Sequence, residues 1–95
     1  MSSFIFSFRG DKDRTLSADE EAAWGQWFGE IGASIADMGS RVGQTSVVGS
    51  GRSANVLTGY TVITADDLKA ATALAEGCPA LRQGGGVEVG ELIPM

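Results

Sequence analysis

Few side chains in this sequence are suited to act as an acid, a base or a nucleophile. The chain has no histidine, a single cysteine, Cys78, and a single tyrosine, Tyr60. Histidine is the commonest general base and the commonest metal ligand. Without it, neither a Ser–His nor a Cys–His pair can activate a nucleophile. A zinc site would need mostly carboxylates, and the sequence shows no suitable cluster of them. We therefore expect neither a metal nor a cofactor.

Cys78 is the most reactive residue type present, and its setting argues against catalysis. It follows a predicted helix and falls on the apolar side of that helix. A lone cysteine in such a position is usually a small buried hydrophobe. The C-terminal end of a helix also offers a thiolate no stabilising positive charge. Rapid modification of the native protein by a thiol reagent near neutral pH would argue for a catalytic role instead.

Four residues are the candidates for contact with a ligand. Tyr60 lies on a predicted strand, from which its hydroxyl could reach a cavity between subunits, although the sequence favours a purely structural role for it. Asp37 and Arg41 are predicted to flank the end of the first helix, at the mouth of a cleft. The alternative for these two is a solvated carboxylate and a cation near a helix C-terminus. Trp24, on the first helix, completes the set.

The charge pattern limits the classes of partner. The net charge is −5, and the seven basic residues are spread along the sequence. Nucleic acids and anionic membranes both require a concentrated positive surface, so we expect neither as a partner. One cysteine excludes an intramolecular disulfide. No apolar stretch has the length of a membrane-spanning helix, and residues 1–8 lack a basic start, so we expect a cytoplasmic protein.

The first half of the sequence predicts a strand followed by a helix. Phe4, Phe6 and Phe8 alternate with smaller residues, which is typical of a strand with one apolar face. Ser17 and Glu20 then form a capping box at a helix start. A stripe of apolar residues at spacings of three and four predicts that this helix runs to about Met38 and stops at Gly39. The stripe consists of Trp24, Trp27, Phe28, Ile31, Ile35 and Met38.

The second half predicts two strands, a helix and a last strand. We expect a short strand over 43–48, a loop over 49–55 and a strand over 57–64 with Tyr60 on the face opposite Ile63. Asp66 and Asp67 suit the start of the second helix, and Gly77 and Pro79 its end. Leu68, at its start, belongs to the predicted apolar side. A turn over 83–86 leads to a strand over 87–93.

The resulting order, βαββαβ, predicts a single α+β domain over residues 1–95 with the ferredoxin-like plan. Right-handed crossovers place both helices on one face of a four-stranded antiparallel sheet. The other face would carry apolar side chains without a cover, and large exposed apolar patches are uncommon on monomers. Two sheets packed face to face would cover them. We therefore expect a homodimer, in the form of a dimeric α/β barrel.

Four segments, in this order and spacing, resemble the YCII-related (DGPF-type) proteins of the dimeric α/β-barrel superfamily. They are Trp-Gly-Gln-Trp-Phe at 24–28, Gly-Tyr-Thr-Val-Ile at 59–63, and Ala-Glu-Gly-Cys-Pro at 75–79 before Gly-Gly-Gly-Val-Glu-Val at 84–89. The resemblance implies a ferredoxin-like fold and a face-to-face dimer. Some YCII-like proteins carry a His and an Asp proposed as a catalytic pair. This sequence has no His, has Cys78 before Pro79 where those relatives tend to have Asp, and lacks the Asp-Gly-Pro-Phe motif.

Two functions of different classes fit the sequence. The missing histidine and the lack of converging polar residues favour a non-catalytic dimeric accessory or interaction module. The alternative is a small-molecule-binding protein or cofactor-independent enzyme with its site in the barrel cavity, an inference by analogy of fold. A pocket lined by Tyr60 and further converging polar groups would favour the alternative, and a cavity filled by side chains would favour the module.

Overall fold

The computed structural model describes residues 1–51 and 54–95. Within those residues, four antiparallel strands form one sheet in the order β2-β3-β1-β4. This arrangement confirms the ferredoxin-like α+β fold predicted from the sequence. The elements are β1 (Ser2–Gly10), α1 (Ala18–Glu30), a 3₁₀ turn (Gly32–Ser34), β2 (Ile35–Arg41), β3 (Val56–Ala65), α2 (Leu68–Ala75), a second 3₁₀ turn (Pro79–Arg82) and β4 (Gly86–Glu91).

The phenylalanine row of β1 forms the centre of the core. Phe4, Phe6 and Phe8 are buried and lie on the face of the sheet that the helices cover. Their register partners on β3 include Ile63 and Thr61, which are buried on the same face. The period-two pattern therefore predicted both the strand and its buried side correctly.

Helix α1 begins where the capping box predicted. The Ser17 amide donates to Glu20 Oε1 at 2.9 Å, and the Glu20 amide donates to Ser17 Oγ at 3.2 Å. The hydrogen bond from the Ser17 backbone, with the Arg14 guanidinium beside it, lowers the pKa of Glu20. The carboxylate therefore stays charged at the positive end of the helix dipole, which favours the helix.

The prediction that α1 continues to Met38 is wrong. The helix ends at Glu30, and Ile35 and Met38 belong to strand β2. Gly29 and Gly32 weaken the helix at this point because glycine has a high conformational entropy in the unfolded chain. As a strand residue Ile35 pairs with Ile63 and packs against the core, and this burial favours the strand over a longer helix. Met38 is 52% exposed and contributes nothing to the predicted apolar stripe.

Strand β2 replaces the strand that was predicted over 43–48, and that prediction is also wrong. Residues 43–48 connect β2 to β3 and are exposed. Of the predicted loop over 49–55, residues 52 and 53 lie outside the described part of the chain. The register of β2 on β3 shifts twice, between Ile35 and Asp37 and again between Asp37 and Ser40.

Gly39 makes the second irregularity of β2 possible. Its φ is +73°, and a Cβ at this position would lie 2.0 Å from the carbonyl oxygen of Tyr60. The Thr61 hydroxyl donates to the Met38 carbonyl at 2.9 Å, which holds the distorted segment against β3. Gly39 therefore permits a register shift within β2. It does not end a helix, as the sequence predicted.

Helix α2 begins close to the predicted acidic pair. The Asp67 side chain accepts a hydrogen bond from the Ala70 amide at 2.8 Å and caps the helix. Ala71 and Ala75 are buried, whereas Leu68 is 53% exposed and does not join the predicted apolar side. No helix in the described residues is long and apolar enough to cross a membrane.

Candidate functional site

The sheet has one face beneath the helices and one face that no element of the described chain covers. We call the second the open face. On strands β1, β3 and β4 it carries the residues that alternate with the buried ones. They are Ser3, Ile5, Ser7, Arg9, Leu57, Tyr60, Val62, Thr64, Gly86, Glu88 and Gly90.

A polar row crosses the open face. Tyr60 on β3 pairs with Ser7 on β1 and with Ser40 on β2, and Ser7 pairs in turn with Glu88 on β4. Residues directly opposite in antiparallel strands share a face and are close enough to interact. Three hydroxyl groups and one carboxylate therefore lie side by side across the four strands.

The neighbouring row is apolar at its centre. Val62 pairs with Ile5, and Ile5 pairs with Gly90, while Asp37 stands at the β2 edge. A Cβ at Gly90 would lie 3.5 Å from Ile5 Cγ2, so the missing side chain leaves a shallow notch beside Ile5. The charged groups of the face stand at its border, where Arg9 and Glu88 form a loose ion pair at 3.8 Å.

The structure separates the four candidate ligand residues. Tyr60 is half-buried on the open face, and its hydroxyl has no hydrogen-bond partner within the part of the chain that is described. Trp24 lies on the opposite side of the sheet, in the helical layer. Asp37 and Arg41 lie on β2 and do not flank a helix end, which corrects the prediction.

Of the two candidate residues on β2, Asp37 has a structural role. Asp37 Oδ1 accepts a hydrogen bond from the Gly39 amide at 2.8 Å and stabilises the irregular segment of the strand. Arg41 pairs with Gly59 and is exposed, one residue beyond Ser40. Of Asp37, Arg41 and Trp24, only Asp37 lies on the open face near Tyr60, in the row that contains Val62. The four candidate ligand residues therefore do not form one cluster.

The space beneath α1 is filled by aromatic rings. Phe8, Trp24, Trp27 and Phe28 pack with ring centroids 5.1–6.2 Å apart, several of them edge to face. The indole of Trp27 donates to the Leu74 carbonyl at 3.1 Å, and that of Trp24 donates to Gln83 Oε1 at 2.9 Å. Both indole N–H groups are therefore satisfied within the protein.

Cys78 lies in this packed layer. It is 1% exposed, and burial raises the pKa of its thiol to about 11. The preceding residue, Gly77, packs on the Trp27 ring, since a Cβ there would lie 3.4 Å from two indole atoms. The thiol is therefore neutral near pH 7 and enclosed, as the sequence predicted for a small buried hydrophobe.

One shallow depression touches the border of the open face. It is lined by Arg9, Asn55, Gly85, Gly86, Val87 and Glu88. Gly85 is needed there because a Cβ would lie 2.3 Å from the Arg9 carbonyl oxygen. Among the described residues, no group of three or more His, Cys, Asp or Glu side chains is placed to hold a metal ion.

The sequence did not identify Ser7, Ser40 and Glu88 as neighbours of Tyr60. Alternation along β1 puts Ser7 opposite the phenylalanines, and that signal was available. The pairing of Ser40 with Tyr60 depends on the irregular register of β2, which no local pattern reveals.

A four-stranded antiparallel sheet with both helices on one face defines the ferredoxin-like class. Comparison with protein-family models is more specific: the model for the YCII-related domain matches residues 11–95. The chain belongs to the YCII-related family. No match is found among curated proteins.

A solved structure with the same fold is the 5-chloro-2-hydroxyhydroquinone dehydrochlorinase from Burkholderia phenoliruptrix AC1100, in complex with 2,5-dihydroxybenzoquinone. This chain is similar to it with a TM-score of 0.62 and 17% identity, over 98% of this chain and 95% of that one. At this identity the likeness shows the fold.

Proposed function

We propose that the protein is a non-catalytic interaction module that works as a homodimer. The main support for this proposal is the identity and burial of the residue before Pro79. Some YCII-like proteins have an Asp there as part of a proposed catalytic pair, and this chain has Cys78, buried beside the aromatic rings under α1. A thiol with a pKa of about 11 is protonated at neutral pH and cannot act there as a base.

The packing around Cys78 supports the same conclusion. Trp27 is 3% exposed, and its indole is fixed by the Leu74 carbonyl. With no histidine in the sequence, the family's proposed pair cannot form. Aromatic and aliphatic side chains fill this layer, so it stabilises the fold.

The open face supports the dimer. Its centre holds Ile5, Val62 and the ring of Tyr60, whereas Arg9, Asp37 and Glu88 stand at the border. The chain has seven Lys and Arg residues and 12 Asp and Glu residues. None of these charged side chains, within the residues that the structure describes, lies in the middle of the open face, although charged residues are common elsewhere in the chain. Protein interfaces have this anatomy, with an apolar centre depleted of charge and a polar rim.

Replacing Val62 by lysine tests the dimer. Val62 lies at the middle of the open face, so a lysine there would have to be desolvated in both copies. We expect native mass spectrometry and light scattering to show a dimer for the wild-type protein at micromolar concentration and a monomer for Val62→Lys. The circular dichroism of the variant should be unchanged. Ala73→Lys, on the exposed side of α2, is the matched control and should stay dimeric. A monomeric wild-type protein would contradict the proposal.

The second candidate is a small-molecule-binding protein or cofactor-independent enzyme. The polar row of Ser40, Tyr60 and Ser7 favours it, because three hydroxyl groups beside apolar Val62 suit a flat ligand with ring oxygens. The dehydrochlorinase of the same fold is an enzyme and binds a quinone of that kind. 2,5-Dihydroxybenzoquinone is therefore the probe of choice.

Binding of this probe is measured by nuclear magnetic resonance. The second candidate predicts saturable shifts of the Tyr60, Ser7 and Ser40 amide signals, weakened at least about fivefold in Tyr60→Phe because a lost hydrogen bond costs about 1 kcal/mol. Ser46→Ala, in the exposed β2–β3 connection, is the control. No shifts at millimolar probe would contradict a site for ligands of this kind on the open face.

The cytoplasmic location, and the absence of nucleic-acid and membrane partners, belong to the proposal. They are supported by the net charge of −5 and the scattered basic residues. A gel-shift titration with nucleic acid and a vesicle pull-down with anionic lipid should both be negative at low salt.

A further inference from the structure

The segment that follows β4 exposes large apolar side chains. We call residues 92–95 the apolar arm; their sequence is Leu-Ile-Pro-Met. Leu92 is 41% exposed, Ile93 75%, and Met95 is entirely exposed. A run of this kind is uncommon on a protein surface unless another molecule covers it.

The arm is continuous with the open face. The Leu92 amide donates to the Ser3 carbonyl at 2.9 Å and so extends the pairing of β4 with β1 by one residue. In the same alternation as Glu88 and Gly90, Leu92 lies on the open-face side, next to Ser3. A molecule seated on the open face would therefore meet the arm at its edge.

The area of the open face bears on what a second copy would gain from the arm. The strands contain 9, 7, 10 and 6 residues. At about 3.4 Å per residue and about 4.8 Å between strands, they give a flat footprint of roughly 500 Å² per copy, and the accessible surface of the face is somewhat larger. Stable interfaces bury about 1,200–2,000 Å² of accessible surface over both partners. The open faces alone would therefore form one of the smaller interfaces of this class, and apolar area at their border would add to its stability.

We propose that the apolar arm of each copy packs on the second copy and completes the interface made by the open faces. This inference rests on the proposed dimer and names the element that makes the dimer stable. The arm contains no charged residue. Leu92 lies on the open-face side, and the exposed side chains of Ile93 and Met95 follow it at the edge of the sheet. Every contact of the arm occurs twice in the dimer, once from each copy, because the two-fold symmetry of a homodimer repeats it.

A paired substitution tests the arm. Leu92→Ser/Ile93→Ser removes two exposed apolar side chains, so the fold of the single chain should be unaffected. Leu68→Ser/Leu81→Ser is the control, since both leucines are about half exposed on the helical side of the sheet. Sedimentation equilibrium should show a dimer dissociation constant raised at least about tenfold by the arm variant and less than about twofold by the control.

The outcomes separate the arm from the dimer itself. If Val62→Lys gives a monomer and the arm variant associates like the wild type, the arm proposal is overturned and the dimer stands. If the wild type is a monomer, both fail. If Leu92→Ser/Ile93→Ser loses its circular dichroism signal, Ile93→Ser alone is measured against Leu81→Ser by the same criterion. Binding of the arm to neutral phosphatidylcholine vesicles, with unchanged dimerisation, would also overturn the proposal.

Discussion

Cys78 and Trp27 determine what the layer beneath the helices can hold. The thiol is enclosed, and the indole is fixed to the Leu74 carbonyl, so neither group is available to a ligand. The sequence predicted the burial of Cys78 from its place on the apolar side of the second helix. The structure adds the reason, which is that aromatic packing occupies the space around the position before Pro79.

The raised pKa of Cys78 makes the stability of the protein fall at high pH. The thiol has an ordinary value of 9.0 in the unfolded chain and a pKa of about 11 in the folded protein. Between these values the folded state holds a proton that the unfolded state has lost, so the free energy of unfolding decreases as pH rises from about 9 to about 11. Below pH 9 both states are protonated, and the contribution is complete.

Urea denaturation at several pH values measures this effect. The wild-type protein should lose stability through that interval, and Cys78→Ala should lose less because it has no thiol to ionise. All other titrating groups are common to the two proteins and cancel in the comparison. Equal pH dependence would contradict the burial of Cys78, as would reaction of the native protein with a thiol reagent within seconds at pH 7.

Strand β2 shows where prediction from the sequence ends at the level of elements. The alternation in β1 and β3, the capping box at Ser17 and the acidic start of α2 are local patterns, and the structure confirms them. Ile35 and Met38 continue the three-and-four spacing of α1 by coincidence. Gly39 has a positive φ, which suits a helix end and a strand irregularity alike.

The candidate site was partly predictable for the same reason. Alternation placed Tyr60 and Val62 on one face, opposite Thr61 and Ile63, and the structure confirms it. Register is not local, because it depends on the two shifts in β2 and on another between Phe8 and Arg9. The row that joins Ser40 to Tyr60 and Ser7 therefore had to come from the structure.

Two glycine substitutions test the account of α1 and β2. Gly39→Ala should destabilise the protein by at least about 1–3 kcal/mol, because alanine is strained at positive φ and its Cβ would collide with the Tyr60 carbonyl. Gly25→Ala should stabilise it by about 0.5–1 kcal/mol, because Gly25 is inside α1 and a Cβ there meets nothing within 4 Å. Urea denaturation measures both changes.

The opposite signs make the comparison informative. If Gly39→Ala were neutral, the irregular pairing of β2 with Tyr60 would be wrong. If Gly25→Ala were destabilising, the exposed side of α1 would be packed against another molecule.

At the scale of the whole molecule, size and layer order set the requirement for a partner. A chain of 95 residues buries a modest share of its surface, and here both helices lie on one side of the sheet. The apolar centre of the open face and the apolar arm remain available. A second copy would bury both with contacts that are repeated by symmetry, and so would add stability that the single core cannot supply.

The thermal stability of the protein should therefore depend on its concentration. A dimer that unfolds to separate chains is stabilised by mass action, and a tenfold rise in concentration is worth about 1.4 kcal/mol per dimer. An unfolding entropy of about 2.1 cal/mol/K per residue applies to both chains of the dimer, so a tenfold rise in concentration raises the Tm by about 3.5 °C. Scanning calorimetry from 10 to 1,000 µM should show it in the wild type and in Ala73→Lys. In Val62→Lys the Tm should be independent of concentration, because the open face can no longer bind its copy. A wild-type Tm that did not move over this range would mean that the chain folds and remains alone, with its open face in water.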